Sequence, residues 1–353
     1  MMDLLLFFWV VPLLCWLFVL GTAVGSFLNV CIVRLPRGRS LLWPGSRCGG
    51  CYRPVRLQHN IPLVSYWWLS GRCRDCGGSF SMRYFWVEFL TGAIFIILYL
   101  LEVAADIHRF RPWGHGAFYG PASNLYPPHF LLAVLLACLL IAAAGCLLKQ
   151  GRVPRALTVT GVLLGLLGVV VFPCSWVNDP SQGFYAWPSC QLVLDWLPPG
   201  SRRLGLAIGV AGLLAVWPLR LATAAASKVL ARDVRDQAGE GLLMIAGCFL
   251  GWQPILLALI LAPVLALGAG VLCRGAHPSR LPLGFWMSVS VVLVWMGWSW
   301  LTPVLRPVLS HPLGCLFIVL AGPGLVFLST VLSQPAAVSG QRTAVSGQRS
   351  AIN

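Results

Sequence analysis

Four cysteines stand in two pairs, Cys48-Gly49-Gly50-Cys51 and Cys73-Arg74-Asp75-Cys76, separated by 21 residues. Two C-x-x-C knuckles at that distance supply four thiolates, the donor set that suits tetrahedral Zn²⁺. Glycines at the knuckles (Gly49, Gly50, Gly77, Gly78) permit the tight turns that aim backbone amides at sulfur. The other readings are two disulfides or four unrelated thiols. A reducing compartment argues against the first, and paired knuckles argue against the second.

The block that carries them, residues 31–84, is a small one. It has too little apolar surface for a core of its own, so bound metal would supply the missing folding energy. It holds nine arginines (Arg34, Arg37, Arg39, Arg47, Arg53, Arg56, Arg72, Arg74 and Arg83) and one acid, Asp75. Charge asymmetry of this kind keeps a loop in the cytoplasm.

The elements around the block are written in composition. Of 353 residues, 58% are hydrophobic and only 10% charged, against about 25% charged in a soluble domain. Such a chain cannot cover a water-facing surface, and its long apolar runs predict helices across about 30 Å of hydrocarbon. The formal charge of +15 is topological. No basic stripe with interleaved aromatics appears, and nucleic-acid binding is not expected. The partner is the lipid bilayer.

Expected spans lie at 4–30, 85–105, 129–148, 156–172, 204–221, 241–252, 254–273, 282–301 and 314–333, about eight or nine in all. The first is a retained span, because only Asp3 precedes it and its apolar run is too long for a signal peptide. Gly251-Trp252-Gln253-Pro254 divides 241–273 into a short hairpin. The loops at 106–128 and 173–203 balance outward, where Cys174 and Cys190 can pair as a disulfide. The fold class is an all-α polytopic membrane protein with a small cytoplasmic zinc-ribbon-like insertion. Its parts are a first transmembrane helix (1–30), the four-cysteine module (31–84), a helical membrane domain (85–333) and a tail (334–353). That tail ends in a repeat, Ala337-Val-Ser-Gly-Gln-Arg-Thr then Ala344-Val-Ser-Gly-Gln-Arg-Ser, with nothing to bury, and disorder is expected.

Around the module the sequence resembles the bacterial prepilin peptidases. Gly25-Ser26-Phe27-Leu28-Asn29-Val30 with Arg34-Leu35-Pro36 looks like that family's signature at the end of its first span. Asn60-Ile61-Pro62-Leu63-Val64-Ser65, Gly71-Arg72-Cys73 and Arg83-Tyr84 with Glu88 and Thr91 follow in the same order. Further on, Arg152-Val153-Pro154 with Leu157-Thr158 and Gly161, Gly247-Cys-Phe-Leu-Gly-Trp-Gln253 and Leu281-Pro282-Leu283-Gly284-Phe285 are similar to later family motifs. Gly25 and Asn29 also read as a helix contact with a helix-terminal cap, and Glu88 as a partner for a nearby arginine.

The resemblance implies a multi-pass protein of the bacterial inner membrane, serving type IV pilus assembly or protein secretion. Such an enzyme cleaves the leader from pilin-like precursors, then N-methylates the product with S-adenosylmethionine. It also implies two membrane-embedded aspartates, since paired carboxylates can share one proton and act as acid and base. The first family position, seven residues before Pro154, falls on Leu147. The second, in Ala238-Gly239-Glu240-Gly241, falls on Gly239. Glu240 is one place away and one methylene longer, and is the only catalytic candidate left. Asp233 and Asp236 belong to a charged turn, and no acid lies between Asp106 and Asp179. The expected protein is therefore a family member impaired in proteolysis. The alternative is a non-catalytic scaffold or binding module for pilin-like or secretion-system components.

Overall fold

A computed structural model of the chain describes residues 2–104, 128–171, 202–230, 239–272, 283–309 and 312–332. Asp233, Asp236, Cys174, Cys190 and the repeat tail lie outside the described residues, as do most of the loops 106–128 and 173–203.

The first helix, α1 (Met2–Arg34), runs 33 residues, about 50 Å at 1.5 Å per residue. That exceeds the hydrocarbon thickness and carries Arg34 clear of it. A short 3₁₀ turn, Leu35–Arg37, closes on Gly38, whose left-handed backbone (φ 63°) ends the helical run. The polar block follows, with one helical turn α2 (Val64–Trp68) and two isolated β-bridges, Arg47 with Pro54 and Arg72 with Ser79. α3 (Arg83–Leu98) then returns through the apolar layer and passes into a π-helical turn, Tyr99–Ala104.

α1 and α3 pack tightly because glycine faces backbone along their seam. A Cβ on Gly21 would lie 2.8 Å from the Cα of Gly92, and one on Gly25 would lie 2.8 Å from the Cα of Glu88. Small residues at that spacing let two helices approach without side chains between them.

The remaining helices are α4 (Pro128–Gln150), α5 (Arg155–Val171), α6 (Arg202–Leu214), α7 (Trp217–Leu230), α8 (Glu240–Leu250), α9 (Trp252–Leu272), α10 (Leu283–Leu309) and α11 (Pro312–Leu332). Five described segments are long and apolar enough to cross a membrane: 10–37, 83–101, 130–150, 209–229 and 252–269. Four shorter apolar helices accompany them, which matches the expected multi-pass, all-helical architecture.

Two expected boundaries move. The span read at 204–221 breaks at Ala215-Val216 and continues to Leu230. Pro218 is the cause: it cannot donate to the carbonyl four residues back, and its ring crowds that carbonyl. Arg220 and Lys228 are thus helical residues. In 241–273 the division falls at Gly251 alone (φ 82°). α8 has only 11 residues, about 16 Å, too short to span by itself.

α8 is instead the centre of the core. Leu242, Leu243, Ile245, Ala246, Cys248 and Phe249 are fully buried. Gly161 and Gly165 on α5 admit it, since a Cβ at either would meet Ile245 or Cys248 at 2.7–2.8 Å.

Candidate functional site

The two knuckles fold alike. In the first, Cys48 N–H donates to Arg53 O at 3.0 Å and Tyr52 N–H returns to Cys48 O at 3.1 Å. In the second, Cys73 N–H donates to Gly78 O at 2.8 Å and Gly77 N–H returns to Cys73 O at 2.9 Å. The four Sγ atoms lie within 4.8 Å of one another. Cys48 Sγ and Cys76 Sγ are 3.7 Å apart, in contact and unbonded. The thiols therefore converge on one point instead of pairing off as two disulfides.

Gly77 makes the turn expected of it, while the first knuckle turns through Tyr52. The residue after each second cysteine is the left-handed one, Tyr52 at φ 58° and Gly77 at φ 67°. Gly49 and Gly50 are not in that region, and the first knuckle bends through a tyrosine. Gly50 serves by its amide, which donates to Cys48 Sγ at 3.4 Å. The Cys51 and Gly50 amides pull the Cys48 thiol down to about 6. The Gly78 amide favours the Cys76 thiolate, but hydrogen bonding to Cys48, Cys51 and Cys73 outweighs it and pushes Cys76 up to about 11. The Cys48 thiolate is ready at neutral pH while Cys76 keeps its proton. This donor set could hold a tetrahedral metal ion, which would replace that proton.

Between the knuckles and the α1–α3 seam lies a cavity of about 580 Å³. Asn29 faces it from α1, Tyr84 and Glu88 from α3, and Ser65 and Tyr66 from the module side. Asn29 is buried and its Nδ2 donates to Tyr84 O at 3.0 Å. Glu88 Oε2 accepts the Leu63 amide at 2.8 Å. Leu63 holds φ 62°, a conformation costly for a branched side chain, so the carboxylate pins a strained turn. Tyr66 meets Phe80 and Phe85 at ring separations of 5.5 and 5.8 Å, tying α2 to the start of α3. No described arginine pairs with Glu88, contrary to the arginine partner considered from sequence. Gly25 is the helix contact expected of it, while Asn29 bridges to the other helix instead of capping its own.

The positions expected to carry protease chemistry hold none. Leu147 is 1% exposed and belongs to the apolar core. Gly239 is left-handed (φ 73°), and a Cβ there would lie 2.9 Å from the Cα of Gly284. Glu240, in the first turn of α8, is held by Arg220 Nε at 3.3 Å to Oε2. The Thr223 hydroxyl donates to its Oε1 at 2.8 Å. Asp75 of the module and Glu88 of α3 line the cavity and do not accompany it. Sequence reasoning missed the Arg220 and Thr223 partners, the Leu63–Glu88 bond and the Gly239–Gly284 approach. The one available signal was Glu88 itself, an acid beside a run of arginines.

Comparison with known proteins gives one family. Residues 19–101 match the Bacterial Peptidase A24 N-terminal domain. Proteins named prepilin leader peptidase/N-methyltransferase are similar along most of the chain. That of Klebsiella pneumoniae is 30% identical over 256 residues, 70% of this chain and 89% of the relative. That of Dickeya chrysanthemi is 28% identical over 321 residues, 80% and 94% respectively. That of Myxococcus xanthus is 31% identical over 256 residues, and the chain spans 62% of its length. No solved structure matches. With a four-cysteine module set between apolar helices and a relative 30% identical that is matched over 89% of its length, the chain belongs to the prepilin leader peptidase/N-methyltransferase family.

Proposed function

We propose that this protein is a member of its family that has lost the aspartyl-protease step and keeps the half of the molecule that binds ligands. One observation carries the reading. The position that answers to the family's second aspartate is Gly239, and its backbone meets Gly284 so closely that no side chain fits between them. The first position is an apolar core residue, Leu147. Glu240 is engaged by Arg220 and Thr223, and no second carboxylate pairs with it among the described residues to divide acid and base roles.

In this reading the protein sits in the bacterial inner membrane with the polar module in the cytoplasm, where nine arginines stay. Cys48, Cys51, Cys73 and Cys76 hold one structural Zn²⁺ that ties residues 48–51 to 73–76. The cavity beneath suits a small polar molecule: Asn29 Oδ1 and Ser65 Oγ are buried there without hydrogen-bond partners, and tyrosines supply flat walls. S-adenosylmethionine fits that description, and when bound it supplies an electrophilic methyl group. The chain's own part is to bind and orient, with Glu88 and Asn29 as acceptors and Tyr66 and Tyr84 as walls. The arginine rim does not suit a basic leader, so a pilin-like precursor would reach the cavity by its apolar N-terminal segment.

A second reading, a scaffold without catalysis, is favoured by the exposed apolar surface of the module, where Leu42, Trp43, Leu57, Trp67 and Trp68 all face outward. Membranes containing the protein, given a pilin-type precursor, test the main reading: no cleaved product is expected.

A further inference from the structure

The polar block between α1 and α3 is not polar throughout. Residues 60–71 carry no charge, although Arg56 and Arg72 flank them. Within that run Ile61, Val64, Trp67 and Trp68 face outward, the two tryptophans 67% and 70% exposed. Large apolar side chains gathered bare on one surface mark a place that something covers.

What covers them follows from their depth. Gly25 faces Glu88, and the Asn29 amide donates to Tyr84 O, so residues 84–88 of α3 run beside residues 25–29 of α1. That level lies five to nine residues before Arg34, where α1 ends, or about 8 to 14 Å inside the helix end. It falls within both apolar segments, 10–37 and 83–101. The uncharged run reaches back to this level and is fastened there. Glu88 Oε2 accepts the Leu63 amide at 2.8 Å, and the Trp67 ring meets Phe85 edge-on at 5.8 Å. Phe85 in turn stacks on Phe89 at 6.2 Å and meets Trp86 at 5.7 Å. Trp86 and Phe89 are exposed on α3, where lipid covers the apolar side chains of a spanning helix. The bare rings of α2 thus continue the lipid-facing surface of α3 through direct ring contacts.

We propose that residues 61–69 are an interfacial anchor. Ile61, Val64, Trp67 and Trp68 lodge among the lipid headgroups and upper acyl chains, and hold the four-cysteine module against the bilayer surface. Tryptophan suits that layer, since its ring is apolar while its N–H stays wet. The two tryptophans then face lipid and not a protein partner. The proposal rests on α1 and α3 crossing the membrane. It depends neither on the cavity as a ligand site nor on the loss of proteolysis.

The test uses the full-length protein, purified without chelator, at one chain per nanodisc of saturated phospholipid. Hydroxyl-radical footprinting reads each ring in the unaltered chain. Tyr52 on the first knuckle is the reference, because it is 70% exposed, as Trp68 is. After correction for intrinsic reactivity, Trp67 and Trp68 should oxidise about tenfold more slowly than Tyr52, because rings lodged in the interface meet little water. A ratio near one overturns the anchor. Photo-cross-linking in proteoliposomes, where chains can meet, then identifies the cover. Trp68→p-benzoylphenylalanine should give a phospholipid adduct by mass, and Asp75→p-benzoylphenylalanine, between the second pair of cysteines, should not. An adduct to a second chain in place of the lipid adduct overturns the proposal, and so do lipid adducts of equal yield at both positions.

Discussion

Arg220 on α7 reaches Glu240 at the first turn of α8, Nε to Oε2 at 3.3 Å. Arg220 is about half exposed and Glu240 largely covered. The Thr223 hydroxyl fills the second oxygen, and the positive end of α8 favours the charge from below. This arrangement is a structural clamp. Removing the cation alone strands a mostly buried carboxylate, so Arg220→Met should destabilise the protein by about 1 to 2 kcal/mol, between exposed and fully buried pairs. Glu240→Gln, which keeps the Thr223 bond, should cost less. Thermal unfolding of the two variants in detergent checks the order. A larger loss for Glu240→Gln would contradict the clamp.

The four-cysteine module makes the second prediction. Metal analysis of the purified protein should find about one zinc per chain, and Cys48→Ser with Cys76→Ser should remove it. The pH dependence follows from the thiols. Cys48, at about 6, is already ionised at neutral pH, whereas Cys76, at about 11, still holds its proton. Binding must displace at least that proton, so affinity rises with pH across the neutral range, about tenfold per unit for each proton released. Chelator competition at pH 6.5, 7.5 and 8.5 measures the slope. A flat profile would rule out thiol ligation with Cys76 protonated in the free module.

Much of this architecture is legible in the sequence, and the parts that are not share one cause. Apolar runs fix the helices because hydrocarbon leaves the backbone no alternative, and the knuckles declare themselves by spacing. The break at Ala215-Val216 was available too, in Pro218. By contrast, Asn29 meets Tyr84 across 55 residues, Glu88 meets Leu63 across 25, and Arg220 meets Glu240 across 20. Such contacts depend on which helix faces face each other, and in a chain apolar all round no periodicity marks the face. Gly239 reads as a missing aspartate in sequence. In the structure a Cβ there would lie 2.9 Å from the Cα of Gly284.

The α1–α3 seam supplies a third prediction. Gly25→Val places a branched side chain where a Cβ already lies 2.8 Å from the Cα of Glu88, and backbone cannot yield as a flexible side chain can. The helices must separate, which displaces Glu88 and unloads the strained Leu63 turn. The expected outcome is a loss of about 2 kcal/mol or more, with faster hydrogen exchange at residues 60–66. Gly49→Ala is the control, since nothing lies within 4 Å of its Cβ position. Equal behaviour of the two variants would show that the seam is not close-packed.

The last prediction concerns proteolysis. Wild-type membranes should not process a pilin-type precursor, because Leu147 and Gly239 stand where a carboxylate pair is needed and the groups of such a pair act as a unit. Restoring both aspartates should also fail, for two separate reasons. At Leu147 a carboxylate would replace a side chain that is 1% exposed, and an unpaired buried charge costs about 3 to 5 kcal/mol. At Gly239 the new Cβ would strike the Gly284 backbone at 2.9 Å, and Asp, though it tolerates φ 73° better than most residues, cannot avoid that atom. The Leu147→Asp, Gly239→Asp double variant should therefore accumulate poorly and remain inactive. The set is completed by Glu240→Gln, expected to be as inactive as the wild type. Clear processing by the wild type that vanishes in Glu240→Gln would make Glu240 a working acid or base and overturn the loss of function. Processing by the double variant alone would mean that the Gly239–Gly284 contact opens readily, leaving the missing carboxylates as the whole reason for inactivity.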